Sequence, residues 1–172
     1  SVHFESRKRG KMKWPECRDP LRGNDMAIYR NACRDLILQI PTDFVYIVDA
    51  DLNNIALDGI MHSMSFFSVQ RVPPFNKPDA IASNGLQLDQ GKWGQYDAWA
   101  WRERPDFRQM TYAQVKDRVY QKGTDLVWIY SAFGGACLYK AKCFELCDYG
   151  QNGRDLEHAV FHEQMYTRGL RM

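Results

Sequence analysis

Asp49 and Asp51 are carboxylates separated by one residue, at the end of the apolar run Phe44-Val45-Tyr46-Ile47-Val48. On an extended backbone, residues two apart point the same way, so the pair can share one cation. Carboxylate oxygens are hard donors that suit Mn2+ or Mg2+. Spacing alone is thin support, because 15 Asp in 172 residues predict about one Asp-x-Asp by chance. The strand-like run before the pair adds weight. A second group lies near the C-terminus: Glu157, His158, His162 and Glu163. His158 and His162 are one helical turn apart and share a face, which suits a metal completed by a ligand from elsewhere. The glutamates flank the histidines, so this is not the His-Glu-x-x-His order of zinc proteases. A histidine on a helix face is also commonly a packed core or surface residue.

These residues need elements to hold them. Phe44 to Val48 is short, β-branched and aromatic, and reads as a buried strand. A strand buried on both faces belongs to a helix-covered parallel sheet, and α/β folds bind ligands at the C-terminal strand ends. Upstream, Met26, Tyr29, Cys33, Leu36, Ile37 and Ile40 follow helical spacing, with Asn24 or Asp25 as N-cap and Pro41 as stop. Downstream, a helix is predicted over residues 55–67 and a strand over 80–85. The stretch 87–107 has no clean period and carries Trp93, Tyr96, Trp99 and Trp101, so it reads as a long functional loop. A helix over 111–120, a strand over 136–139, a short helix over 142–147 and a last helix from Leu156 to Arg168 follow. Asp155 is the expected cap of that helix and Gly169 its end. The alternation argues an α/β domain with a mostly parallel central sheet flanked by helices.

A chain of this length makes one domain rather than two. The predicted division is a basic irregular segment, 1–23, and a domain, 24–172. Arg7, Lys8, Arg9, Lys11, Lys13, Arg18 and Arg22 crowd that segment, as a solvated arm or a diphosphate-facing loop. The net charge of +2 offers no argument for a nucleic-acid partner. No stretch has the ~18 apolar residues of a membrane span, and no apolar signal-peptide core opens the chain. Five cysteines without zinc-finger spacing read as reduced thiols, so a soluble, cytoplasmic location is expected.

Val45-Tyr46-Ile47-Val48-Asp49-Ala50-Asp51, Arg30-Asn31 before it, Phe133-Gly134-Gly135-Ala136-Cys137-Leu138-Tyr139 after it, and Glu157-His158 on a helix closed by Gly169 stand in a telling order. That order resembles the GT-A-fold nucleotide-sugar glycosyltransferases of the Asp-x-Asp type. Tyr96-Asp97-Ala98-Trp99 with Arg102 is similar to a stretch of the fungal capsule-associated mannosyltransferases. Asp155-Leu156-Glu157-His158 is similar to the capsid-glycan glycosyltransferase domains of large algal DNA viruses; a viral origin would make the location host cytoplasm. The resemblance implies a GT-A-like domain, a UDP- or GDP-sugar donor, and a glycan or glycoprotein acceptor. It implies Mn2+ or Mg2+ on Asp49 and Asp51, with His162 or His158 as a further ligand. Arg30, Asn31, Asp49, Gly134 and Gly135 would contact the donor. Glu157, or Asp155, would be the catalytic base, although many relatives have Glu-Asp where this chain has Glu157-His158. Asp97, Trp99, Trp101 and Tyr96 would meet the sugars, on a loop that closes over them. Only 23 residues precede the Arg-Asn helix, fewer than the roughly 30 of a strand–helix–strand unit. The chain is thus expected to lack the first nucleotide-binding unit or to start within a longer protein. Two other classes use the same residues: a metal-dependent hydrolase built on Asp49, Asp51, His158 and His162, and a non-catalytic sugar- or nucleotide-binding module.

Overall fold

The computed structural model describes residues 20–68, 77–103, 106–150 and 155–172. Its first helix, α1 (Pro20–Ile37), begins earlier than the sequence predicts. Proline has a preset φ that suits a first helical turn. Asn24 and Asp25 therefore lie inside the helix rather than capping it. The predicted basic segment 1–23 is helical from Pro20 onward; the rest of it lies outside the described residues.

β1 (Phe44–Val48) leads through α2 (Leu57–Ser68) to β2 (Ala80–Ala82). A hairpin follows, β3 (Leu86–Asp89) and β4 (Lys92–Gln95), where an irregular loop is expected. Gln90 at φ 48° and Gly91 at φ 78° form its two-residue turn. Positive φ at both positions matches the right-handed twist of the strands. α3 (Tyr112–Val115) is a single turn, shorter than the predicted helix, in which Gln114 Oε1 accepts from the Thr111 N–H at 2.9 Å. β5 (Ala136–Lys140), α4 (Lys142–Leu146) and α5 (Glu157–Thr167) complete the described elements.

The expected mostly parallel, GT-A-like sheet does not form. The larger sheet has the order β1-β5-β2, and β5 runs antiparallel to both neighbours. β1 and β2 point the same way and are joined through α2, but β5 occupies the slot between them. Among the described residues, the second sheet is the β3–β4 hairpin. Apolar runs report coverage of both faces, and coverage does not set strand direction. The buried central strand is β5; among the described residues β1 is at an edge, with Val45 buried and its other residues half-buried.

Alternation sorts the strand side chains to two faces. Val45, Cys137, Tyr139 and Ala80 join a core with Phe144 of α4 and Phe161 and Met165 of α5. Phe44, Tyr46, Ile81 and Leu138 pack on Phe66 and Phe67 of α2. Burying each such aromatic or branched side chain is worth about 1.5–3 kcal/mol against leaving it in water. Gly169 ends α5 at φ 77°. Its N–H reaches Tyr166 O at 3.0 Å, and the Leu170 N–H reaches Met165 O at 2.9 Å, a Schellman ending. The chain then returns to β2: Arg171 O accepts from the Asp79 N–H at 2.7 Å and the Ala80 N–H at 3.1 Å.

Among the described residues, no helix is long and apolar enough to cross a membrane. Cys33, Cys137, Cys143 and Cys147 are free. Burial pushes the Cys143 thiol up to about 12 and the Cys147 thiol up to about 11, so neither is a ready nucleophile.

Candidate active site at the end of β1

The chain turns directly after β1. The Asp49 N–H donates to Gly135 O at 2.8 Å, and the Leu52 N–H reaches back to Asp49 O at 3.3 Å. Gly134 and Gly135 make this possible, with φ of 61° and 79°. A Cβ at Gly134 would lie 2.2 Å from Ser83 O, and one at Gly135 would lie 2.7 Å from Leu52 Cδ2. Gly134 thus packs against the Ser83 backbone and Gly135 against the Leu52 side chain, and the Gly135 carbonyl fixes where Asp49 begins its turn.

Arg30 crosses from α1 into this corner. Its Nη2 donates to Asp49 Oδ1 at 3.2 Å and its Nε to Glu157 Oε1 at 3.0 Å. One guanidinium so joins the strand end to the first residue of α5. Burial works against its charge, but Tyr149, Glu157 and Asp49 outweigh burial and hold the pKa above its usual value. The guanidinium also lies 5.3 Å from the Phe133 ring centroid, within cation–π range. Asn31, beside it, is spent on structure: its amide donates to Tyr149 O at 2.7 Å and accepts from the Tyr149 N–H at 2.9 Å.

Four acidic groups surround the corner. Asp51 is exposed on the turn. Burial raises the Asp49 carboxyl above the usual carboxylate range, with Arg30 opposing the shift. Asp97 is also raised, chiefly by burial; N–H groups of Ala100 and Trp99 oppose this, and the charges of Asp49 and Glu157 add to it. Those N–H groups donate to Asp97 Oδ1 at 3.4 and 3.2 Å. The Tyr96 hydroxyl is raised by burial and by Asp51, Asp49 and Asp97, and Arg22 opposes the rise. Arg22 likewise acts on Asp49. The corner therefore holds Asp49, Asp51, Asp97 and Glu157 around Arg30, with Arg22 and Tyr96 nearby.

The remaining predicted residues are placed differently. His158 and His162 do share a helix face, with ring centroids 6.1 Å apart, but that face is in the core. His162 Nδ1 pairs with Ser131 Oγ and its Nε2 with Tyr139 Oη, both at 2.8 Å. Burial, with Arg102, pushes its pKa down to about 3. His158 stacks on Phe133 at 3.8 Å and finds no hydrogen-bond partner for either ring nitrogen among the described residues. Burial, Arg30 and His162 hold it neutral, so its 4.0 Å approach to Glu157 is not an ion pair. Asp155 accepts from Arg102 Nη2 and from the Leu156 N–H at 2.8 Å. Arg102 is fully buried, and its Nη1 also donates to Trp99 O and Trp101 O at 2.7 and 2.9 Å. This pins the segment expected to be a free lid. Trp101 is buried, while Tyr96 and Trp99 are half-buried.

Among the described residues, no three His, Cys, Asp or Glu side chains are arranged to hold a metal ion. The expected set of Asp49, Asp51, His158 and His162 is therefore not assembled. The carboxylates Asp49 and Asp51 remain as a hard-oxygen pair in one turn. They suit a cation carried mainly by phosphate oxygens and water, as Mg2+ often is. Sequence reasoning missed Tyr149, which lies in a Gly- and Asn-rich stretch with no chemical signal. It also missed Phe133 as the wall behind Arg30, although Phe133 stands beside the noticed glycines. Comparison with protein-family models, curated proteins and solved structures finds no match.

Proposed function

We propose that this chain is a glycosyltransferase that moves a sugar from a UDP- or GDP-sugar to a hydroxyl of a glycan or glycoprotein, with Mn2+ or Mg2+ on the donor diphosphate. The observation that supports this reading is the Arg30 bridge between Asp49 and Glu157, two carboxylates whose charges also act on Asp97. Residues far apart in sequence, assigned to donor binding and proton transfer, meet at one strand end.

In this reading the cation, when bound, offsets charge developing on the leaving diphosphate. Arg30 and Arg22 add positive charge at the same place. The diphosphate competes with Glu157 for the Arg30 guanidinium, which turns Glu157 toward the acceptor. Glu157 takes the proton of the acceptor hydroxyl as that oxygen bonds to C1 of the sugar. The C1–O bond to the diphosphate breaks, and its electron pair leaves on the phosphate oxygen. Asp97 and Tyr96 orient sugar hydroxyls, with Trp99 at the edge. Asp155 acts one step back, by fixing Arg102 and the start of α5. The hydrolase alternative is the weaker one, since both His162 ring nitrogens are taken by Ser131 and Tyr139 and His158 is stacked on Phe133 in the core.

A panel of nucleotide sugars with Mn2+, scored for transfer and for thermal stabilisation, tests the proposal. Stabilisation by one nucleotide family is expected. Asp51→Ala and Glu157→Gln should each lose about 100-fold or more in transfer; Asp51→Ala, on the exposed turn, should melt nearly as the parent does, whereas Glu157→Gln removes a charge paired with Arg30 and should melt lower. Full metal-dependent transfer by Asp51→Ala would remove its metal role. Full transfer by Glu157→Gln would move the base elsewhere. Stabilisation by no nucleotide would sink the transferase reading.

A further inference from the structure

A cavity of about 590 Å3 opens beside β2, between α2 and residues 120–129. Packed interiors leave few voids larger than a water molecule, and small-molecule sites commonly span ~300–1,000 Å3. This space therefore has the size of a ligand site. Its lining is graded. The buried part is apolar, with Phe66, Ile81, Ile129 and Leu138. The charged residues Asp58, Lys122 and Asp125 are all exposed, so they stand at the mouth and not in the floor. Ile55 and Val127 also line the space while 40% and 49% exposed, which carries apolar surface out to the rim.

One side of the cavity borders the carboxylate corner. Leu52 and Gly134 both belong to its lining. Leu52 lies on the turn that carries Asp49 and Asp51, with its N–H on Asp49 O at 3.3 Å. Its side chain packs on Gly135, whose carbonyl holds the Asp49 N–H. Gly134 follows Phe133, the ring beside Arg30. Buried Trp101, in the same wall, belongs to the segment that carries Asp97. Asn54, Ser83 and Asn84 make the lining polar on this side. A bound molecule can therefore keep an apolar group in the floor and bring hydroxyl groups to the Asp49–Leu52 turn.

We propose that this cavity holds the apolar aglycone of the acceptor. The acceptor is then an amphiphile: a glycan whose hydroxyl reaches the carboxylate corner, carried on an alkyl or aryl group that lies beside α2. The acceptor role rests on the transferase reading; the affinity for an amphiphile does not.

Octyl and methyl β-D-glucosides, kept below micelle-forming concentrations, are the probes. In calorimetric titration the full chain should bind the octyl glucoside at one site and at least about tenfold tighter than the methyl glucoside, because buried methylenes carry the gain. Ser63→Trp, which fills the cavity from a half-buried position on α2, should cancel that advantage. Should Ser63→Trp lose its circular-dichroism signature, Ser63→Cys serves instead: saturating octyl glucoside, and not methyl glucoside, should slow maleimide labelling at that residue at least about fivefold. Equal affinity for the two glucosides, an undiminished advantage in a folded Ser63→Trp, or unslowed labelling of Ser63→Cys would each overturn the proposal. The acceptor role is read from transfer. For the acceptor sugar that the nucleotide-sugar panel reveals, the octyl glycoside should have a KM at least about tenfold below that of the methyl glycoside, with similar kcat. Equal KM values would overturn the acceptor role and leave the transferase reading standing. Octyl glucoside bound without transfer from any nucleotide sugar would overturn that reading together with the acceptor role, and would keep the amphiphile site.

Discussion

Asp97 carries its charge where the surroundings work against it. Its carboxyl is raised by burial and by Asp49 and Glu157. A carboxyl with a raised folded pKa adds stability at low pH, and that stability is lost as pH rises through the folded value. At neutral pH the ionised group therefore detracts from the fold. Asparagine keeps an oxygen for the Trp99 and Ala100 N–H groups and drops the charge. Asp97→Asn should unfold at the same or higher urea concentration at pH 7, while transfer falls at least about tenfold. A stability loss above ~1 kcal/mol would show that the charge supports the fold instead. The acidic residues of this corner were legible because their chemistry is in their type. Asn31 was not, since an amide that bonds a ligand and one that bonds Tyr149 look alike in a sequence. The histidine pair misled for a related reason: helical spacing shows a shared face but not what that face meets.

At the scale of elements, the Phe133–Ala136 turn decides how β1 ends. Gly135→Ala brings two separable costs, a non-glycine residue at φ 79° and a Cβ against Leu52 Cδ2. Together they should destabilise by about 1–4 kcal/mol. Leu52→Ala in the same chain should relieve the clash and leave the backbone cost, so urea titration of the double variant should recover only part of the loss. At Gly134 the obstacle is the Ser83 carbonyl, which no side-chain change can remove. β1, α5 and its glycine ending were readable because apolar period and Gly169 are local signals. The hairpin escaped because Gln90-Gly91 is a weaker turn signal than Asn-Gly, and because Leu86, Leu88 and Trp93 are exposed rather than core residues. Strand direction escaped because it depends on which distant strand arrives between β1 and β2.

At the scale of the molecule, the neutral histidines couple stability to acidity. His162 is pushed down to about 3, and His158 lies well below its usual value. Below about pH 6.5 the unfolded chain takes up protons at both positions and the native state does not. Stability should thus fall on going from pH 7 to 5.5, at up to about 1.4 kcal/mol per pH unit for each histidine. His162→Gln retains a donor and an acceptor for Ser131 and Tyr139, and should flatten that dependence in urea titrations. An unchanged slope would place the proton uptake elsewhere. The position of β5 has a different consequence, for the order in which the chain is made. Among the described residues, β1 and β2 have no sheet partner until residues 136–140 exist, and β2 is not tied at its start until Arg171 arrives. Phe44, Tyr46, Phe66 and Ile81 therefore leave the ribosome well before the strand that completes their sheet. This part of the fold must wait for residues 136–140, and chaperones that shield apolar nascent segments have their opportunity in that interval.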